Sequence, residues 1–351
     1  MYARLAVASN AVQTDGLPVA AANLVHASLL EQVNAHGRLI FADDPEIHAL
    51  LRAIKSDEGI PPDARKRWIE TLVRMRQLGR IQILHRSGAL ADVRDLVQLR
   101  ADWGLCADVA VVASEACAAL GVPDGGLLTT PGILPDVAIT AAATDSPVIQ
   151  RLKALAETGV AVTGSLRDDF WHEVLEPLAT DARSVTILDG YLFKPTWDIE
   201  AGRPWTRAWN GEQLAWLLER LDACMASDAE VLLLGCAHRD YPAASADSTA
   251  DAIRDLWRPT KVGRLHSVRV ALGDPKHGER FPHDRHIRFS TGGAIDLNAG
   301  LDRLRDDAIW DPDGMKWRYI WHASALSALR NAETRAETLV RSATGVVLER
   351  L

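Results

Sequence analysis

Short apolar segments alternate with helical segments through the first half of this chain, and the alternation is the strongest constraint on its fold. Residues 4–9, 39–42, 80–84 and 108–114 have the length and apolar content of buried strands, and helical patterns lie between them. Strands separated by helices form βαβ units, whose strands run parallel. The sequence therefore predicts an α/β fold in which residues 1–160 form a Rossmann-like domain around a mostly parallel sheet.

Local signals give the bounds of several helices. Two aspartates and a proline at residues 43–45 are typical of a helix start and predict a helix through residue 54. Residues 89–103 have the pattern of a further helix, and residues 323–342 that of a long polar one. The domain boundary is predicted at residues 159–165, with Ser165 as the cap of a helix over residues 166–180.

Length and composition narrow the class of protein. The chain has 351 residues, a length typical of two domains. A net charge of -8 argues against indiscriminate coating of nucleic acid, although residues 254–288 hold nine Lys or Arg against four acids. The sequence shows neither a signal pattern nor a run of 18 apolar residues, which predicts a cytoplasmic protein without a transmembrane segment. No glycine-rich dinucleotide or Walker A motif follows a strand, and no cofactor is predicted.

Polar residues follow the predicted strands of the first half. The carboxyl ends of parallel strands meet at one edge of a sheet, where ligand sites form. A nuclease of the PIN type would need three or four acids around Mg²⁺ there, with an aspartate directly after the first strand. Asn10 occupies that place, so the likeness to PIN domains is weak and a non-catalytic domain is favoured. The residues at the strand ends are Asn10, Asp43, Asp44, His85, Ser114 and Glu115.

The second half contains a strand–turn–strand pattern at residues 281–302. Residues 283–289 and 294–301 have strand character and are joined by a Thr-Gly-Gly turn. Side-chain alternation places His283 and Arg285 on one face of the strand, and His286 and Arg288 on the other. An imidazole beside a guanidinium suits a phosphodiester, because histidine can attack phosphorus or donate a proton and arginine binds the charged oxygens.

This segment resembles a degenerate form of the His-x-Lys-(x)4-Asp signature of the phospholipase D superfamily. The closest likeness is to the phospholipase-D-like C-terminal domain of MIT-domain proteins, which carries His-Asp-Arg, an Ile-Arg-Phe strand and a Gly-Leu-Asp turn in the same order. Residues 185–192, which include Asp189, resemble the opening strand of that domain. The likeness spans residues 165–330 and implies a phospholipase-D-like α/β domain over residues 165–345. Arg285 stands where catalytic members have lysine, and Ser290 where they have aspartate.

The resemblance also implies a site. Catalytic members use one histidine as nucleophile and a second as acid, and single-motif members assemble the pair across a homodimer. His283 would be the nucleophile or acid, Arg285 the phosphate clamp and Asn298 a supporting donor. No metal is assigned, because His283 and His286 lie on opposite faces of the predicted strand. The remaining assignments are Arg285, Arg288, Arg280 and Lys276 for phosphate binding, and Asp189, His238 and Asp302 at the border of the pocket.

Two functions are compatible with these residues. The first is a phosphodiesterase or nuclease acting on nucleic acid, with a role as effector of a bacterial defence system by analogy. The second is a catalytically degenerate module in which Arg285 and its basic neighbours bind anionic phosphate, in nucleic acid or phospholipid, or a protein partner. A tryptophan-rich loop predicted at residues 194–210 would either stack bases or cover the domain.

Overall fold

The chain divides into two compact units, residues 2–154 and residues 155–351. The structure is a computed structural model that describes residues 2–14, 16–56, 59–86, 88–129, 135–157, 159–201, 212–241, 243–257, 263–274, 281–304 and 306–347. Each unit contains one sheet together with helices, so the predicted α/β class is confirmed. No helix in the described ranges is long and apolar enough to cross a membrane.

The first unit contains a mostly parallel sheet in the order β3-β2-β1-β4-β6-β5. Its described strands are β1 Ala3–Val7, β2 Gly37–Phe41, β3 Ile81–Ile83, β4 Val109–Val112, β5 Leu127–Leu128 and β6 Asp136–Ile139. The short β5 pairs antiparallel with β6, and the other pairs are parallel. Strands β2 and β4 are buried along their whole length, as expected for central strands covered on both faces. The central order 3-2-1-4 is that of a doubly wound sheet.

Aspartate side chains cap two of the described helices of the first unit. The described helices of this unit are α1 Val19–His36, α2 Asp44–Lys55, α3 Pro62–Gln77, α4 Leu96–Trp103, α5 Cys117–Leu120 and α6 Pro147–Glu157. The Asp43 side chain accepts the Glu46 N–H at 2.9 Å and caps α2 as predicted. The single helix predicted over residues 89–103 is wrong, because the Asp95 side chain accepts the Gln98 N–H at 2.8 Å and starts α4 separately.

The second unit contains a mixed sheet in the order β14-β10-β9-β8-β11-β12-β13-β7. Its described strands are β7 Gly159–Ala161, β8 Ser184–Leu188, β9 Ala229–Cys236, β10 Leu265–Gly273, β11 His286–Phe289, β12 Gly293–Leu297, β13 Met315–Ile320 and β14 Val340–Val347. Strands β8, β9 and β10 are parallel, and the other pairs are antiparallel. Because β11 runs against β8, its first residue lies opposite Leu188, the last residue of β8.

Helices pack on both faces of this second sheet. They are α7 Arg167–Phe170, α8 Glu176–Ala179, α9 Lys194–Glu200, α10 Glu212–Cys224, α11 Ala246–Trp257 and α12 Ala323–Thr338. On one face, Leu326 and Leu329 of α12 pack against Ile320. On the other, Phe170 of α7 lies edge-on to Trp317, with ring centroids 4.9 Å apart. Trp317 and Ile320 point to opposite faces of β13, which places α7 and α12 on opposite sides of the sheet.

Local structure around α7 and α9 differs from the sequence prediction. No side chain caps α7, which begins after Leu166, so the predicted Ser165 cap is wrong. A π-helical turn at Trp171–Leu175 joins α7 to α8, over the stretch where Pro177 would clash with the carbonyl of residue 173 in a regular helix. Residues 194–200 of the predicted tryptophan-rich loop form α9, and residues 202–210 lie outside the described residues.

Pairing between distant segments sets both ends of the second sheet. β7 pairs with β13, so residues 159–161 belong to this sheet although the composition predicts a boundary at residues 159–165. α12 ends at Thr338, and β14 follows it where the sequence predicts helix through residue 342. The ladder of β14 satisfies the free backbone groups of β10, and it overrides the local helix preference.

A buried histidine lies between α1 and α3. His26 and Trp68 are fully buried, and the Trp68 Nε1–H donates to His26 Nδ1 at 3.2 Å. Because burial disfavours the charged imidazolium, the pKa of His26 is lowered from 6.5 to about 4. The unfolded chain therefore gains a proton below pH 6.5 that the folded unit gains only near pH 4.

Replacing His26 is expected to remove a defined pH dependence of stability. As pH falls from 6.5 to about 4, the unfolding free energy of the first unit should fall by about 3 kcal/mol from this group. His26→Gln keeps an acceptor for Trp68 and should lose that decrease, whereas His48→Gln, at an exposed position of α2, should keep it. Urea unfolding at a series of pH values measures the unfolding free energies of both variants. If His26→Gln still shows the full decrease, the pH dependence does not come from His26.

Candidate functional site

The candidate site lies at the carboxyl ends of the parallel strands β8 and β9. The loop of Asp189 and Tyr191 follows β8, and His238 follows β9. Arg285 directly precedes β11, which begins opposite the last residue of β8. Open α/β sheets bind ligands at such edges. The topology therefore brings Asp189, His238 and Arg285, which the sequence predicts as site residues, to one edge of the sheet.

Asp189 is the buried acid of this site. Its side chain is 5 % exposed, and it accepts the Tyr191 N–H at 2.9 Å and the Leu301 N–H at 3.3 Å. Burial raises the pKa of Asp189, and the Tyr191 N–H, the charge of Arg285 and the Leu301 N–H offset this only in part. The carboxyl group thus joins the loop after β8 to the turn after β12.

Arg285 lies beside this acid with its guanidinium contacted by three groups. Its Nε is 3.7 Å from Asp189 Oδ1, and its Nη1 donates to the Asn298 carbonyl at 3.4 Å. The guanidinium carbon lies 5.7 Å from the centre of the Tyr191 ring, within the range of a cation–π contact. The Arg285 side chain is nevertheless 29 % exposed. A guanidinium has five N–H donors, and in the described contacts Nη2 is not used, so donors remain for an anion.

Glycine at position 300 permits this close arrangement. Its φ is +71°, a conformation that side chains with a Cβ rarely adopt. A Cβ there would overlap Asp189 Oδ2 and lie 3.2 Å from Arg285 Cδ. Gly300 therefore allows the turn after β12 to pack directly on the acid and the guanidinium.

Phe281 anchors the segment that carries Arg285. Its side chain is buried, and a Cβ added at Gly273 would lie 2.9 Å from its ring. A Cβ added at Gly190 would lie 3.7 Å from the same ring. Gly273 ends β10 and Gly190 follows β8, so the ring sits against glycines at two strand ends. The segment before β11 is thereby fixed across the carboxyl edge of the sheet.

Tyr191 joins His238 to the rest of the site. The rings of Tyr191 and His238 have centroids 6.1 Å apart and planes inclined by 50°. His238 Nδ1 accepts the Asp240 N–H at 3.3 Å. Tyr191 is 45 % exposed and was not singled out by the sequence reasoning. The signal that could have indicated it is its position two residues after Asp189, within the segment that carries the family resemblance.

His283 and Asn298 are placed differently from the other predicted residues. β11 begins at His286, because β8 has ended at the opposite position, so His283 lies before the strand and is exposed. In the described ranges, no hydrogen bond or ion pair joins His283 to Arg285. Asn298 reaches Arg285 through its backbone carbonyl, while its side chain is exposed. The structure thus gathers Arg285, Asp189 and His238, and leaves the His283 imidazole outside their contacts.

Arg288 lies on the opposite face of β11, where it binds the helix α12. Arg288 Nη2 is 2.5 Å from Glu333 Oε2, and His286 Nε2 is 2.9 Å from Glu333 Oε1. Arg288 also donates to Thr186 Oγ1 at 3.1 Å. Burial alone would raise the pKa of Glu333, but hydrogen bonds and charge from His286 and Arg288 outweigh it and lower that pKa. Arg288 therefore holds α12 on the sheet and does not face the candidate site.

Of the three remaining predicted residues, the structure describes Asp302. Lys276 and Arg280 lie outside the described residues. Asp302 is exposed on the 3₁₀ turn Leu301–Leu304.

The strand ends of the first unit carry scattered polar residues. Asn10, Asp44, His85, Ser114 and Glu115 are exposed. The buried acid near this edge, Glu46, accepts the N–H groups of Ala42 and Leu90 at 2.6 Å each, which gives it a structural role. Within the part of the chain that the structure describes, no three His, Cys, Asp or Glu side chains are arranged to hold a metal ion.

Comparisons with known proteins give no family for this chain, and the structural likeness described below is weak. No protein-family model matches the chain, and no curated protein matches it. One matching solved structure is that of the archaeal chromatin protein TrmBL2, reported to show a novel mode of DNA binding. It is 12 % identical over 62 % of this chain and 76 % of that chain, with a TM-score of 0.23. At that TM-score the likeness carries no argument about fold or function.

Adding a methyl group at Gly300 is expected to disrupt the site and destabilise the second unit. Gly300→Ala combines an unfavourable φ with overlap on Asp189, so the unfolding free energy should fall by about 2 to 3 kcal/mol. Gly164→Ala is the control, because Gly164 has a φ of +90° but open space around it, and it should cost only about 1 kcal/mol. Urea unfolding compares them, and equal losses would show that Asp189 and Arg285 do not constrain this turn.

Proposed function

We propose that the second unit binds the phosphodiester groups of nucleic acid at the carboxyl ends of β8 and β9, with Arg285 as the phosphate ligand. The observation that carries this proposal is that Arg285 is held by Asp189, the Asn298 carbonyl and the Tyr191 ring, yet remains 29 % exposed. A guanidinium fixed in this way loses little conformational entropy on binding, and its planar donors match two phosphate oxygens.

The neighbouring acid does not cancel the attraction of Arg285 for an anion. Asp189 Oδ1 is 3.7 Å from Arg285 Nε, which is longer than a hydrogen bond. A phosphate group would bind through Nη2, for which no partner is described, and the side chain is partly exposed.

The rings beside Arg285 favour nucleic acid as the source of the phosphodiester. Tyr191 is exposed and contacts both Arg285 and His238. Aromatic rings next to arginine bind nucleic acids by stacking on bases, which all have a π face. A phospholipid head group offers no equivalent flat surface to these rings.

Removing the Arg285 charge is expected to weaken binding of a labelled oligonucleotide. Arg285→Gln should lower the affinity by about tenfold or more and reduce the slope of log affinity against log salt by about 1. Arg318→Gln is the matched control, because it removes one arginine charge from β13 at a side chain that is 70 % exposed and pairs with Asp296. Fluorescence anisotropy at several salt concentrations measures both. Equal losses of affinity in the two variants would indicate a general effect of charge and would contradict a specific role of Arg285.

A second candidate function is cleavage of the bound phosphodiester. The observation that favours it is the exposed His283, two residues before Arg285 on the segment that Phe281 anchors. A His283 nitrogen would attack phosphorus while the bond to the leaving oxygen breaks and a histidine of a second copy protonates that oxygen. Water would then hydrolyse the phosphohistidine. This function therefore requires a homodimer.

Cleavage of labelled DNA and RNA in the presence of a chelator tests the second candidate. Wild type and His48→Ala, which changes an exposed histidine of the first unit, should cleave equally, and His283→Ala should not. Sedimentation velocity should show a dimer under the same conditions. Cleavage that persists in His283→Ala, or that stops with chelator, would place the chemistry at other residues.

A further inference from the structure

Tyr191 presents an exposed ring directly beside the proposed phosphate ligand. Tyr191 as a whole residue is 45 % exposed, and the Arg285 guanidinium lies 5.7 Å from the centre of its ring. The backbone N–H of Tyr191 is held by Asp189, and its carbonyl accepts the Lys194 N–H at 3.1 Å. Both backbone groups of the residue are therefore fixed, and the ring projects from a constrained loop.

Contacts between α9 and the loop after β9 hold this ring near His238. Lys194 Nζ binds Asp198 Oδ2 at 2.6 Å, and the Tyr241 hydroxyl donates to the same Asp198 carboxylate. Tyr241 lies three residues after His238, and its N–H donates to the His238 carbonyl at 2.9 Å. The loops after β8 and β9 are thus linked through α9, and these contacts constrain the positions of the two rings.

We infer that Tyr191 stacks a base adjacent to the phosphate at Arg285, and that the site takes single-stranded nucleic acid in preference to duplex. This inference rests on the proposed function, since it assumes phosphate binding at Arg285. In a duplex the base faces are covered by their neighbours, so only an unstacked base reaches an aromatic ring. His238 adds a second ring, inclined by 50°, against which the edge of the base can lie.

The test separates base stacking from phosphate binding by using three labelled probes. They are a single strand of about ten nucleotides, a strand of the same length made of abasic nucleotides, and the duplex of the first strand. Fluorescence anisotropy gives the affinity of each probe for wild type, Tyr191→Phe, Tyr191→Ala and Arg285→Gln. Trp310→Ala is the matched control, because it removes the ring of another exposed aromatic residue of the second unit, 53 % exposed as a whole.

Wild type is expected to bind the single strand more tightly than the abasic strand or the duplex. Tyr191→Ala should lose about tenfold in affinity for the single strand and clearly less for the abasic strand, where it removes only the contact of the ring with Arg285. Tyr191→Phe and Trp310→Ala should behave as wild type. Equal wild-type affinity for the single and abasic strands, or for single strand and duplex, overturns the inference while Arg285-dependent phosphate binding stands. Absence of binding to all probes overturns the proposed function and the inference together.

Discussion

The candidate site depends on one buried carboxyl group. Asp189 follows the end of β8 and accepts N–H groups from two separate segments, the loop of Tyr191 and the turn at Leu301. Backbone donors buried without acceptors are costly, so this side chain decides where both segments lie. The same carboxyl faces Arg285, and its position therefore also sets the place of that partly exposed guanidinium.

Arg288 on strand β11 and Arg285 directly before it have different roles. Arg288 and His286 point towards α12 and bind the buried Glu333, which fixes that helix against the sheet. Arg285 lies beyond the first residue of the strand and keeps part of its surface in solvent. A buried ion pair contributes little net stability, but loss of one partner leaves a costly unpaired charge, so the Glu333 cluster favours one placement of α12 over others. The fixed helix α12 supports β11, and the segment that carries Arg285 directly precedes that strand.

Much of the fold followed from local patterns, and the rest depended on pairing between distant segments. Apolar runs indicated strands β1 to β4 of the first sheet, the Asp43 cap was correct, and alternation correctly placed His286 and Arg288 on one face. The start of β11 could not be read from its own residues, because it is set by where β8 ends. β14 likewise exists because β10 offers free backbone groups.

The site itself was predictable only in part. Asp189, His238 and Arg285 carry chemical signals in the sequence and meet at one edge. Tyr191 contributes by lying close to Arg285, and Gly300 by lying close to Asp189, and each is far from that partner along the chain. A local sequence pattern does not show such contacts. The role of Glu333 could not be predicted from the polar pattern of its helix, because its partners His286 and Arg288 lie some forty-five residues away along the chain.

The strand β7 bears on how the second unit would be produced by itself. A fragment starting at residue 165 would lack Gly159–Ala161 and leave the backbone of β13 as a bare sheet edge. It would also uncover the indole of Trp317, against which Gly159 packs so closely that no side chain fits there. Bare apolar edges favour aggregation, so such a fragment would be poorly soluble even with every site residue present. Expression of this half therefore has to begin upstream of residue 165, no later than Gly159.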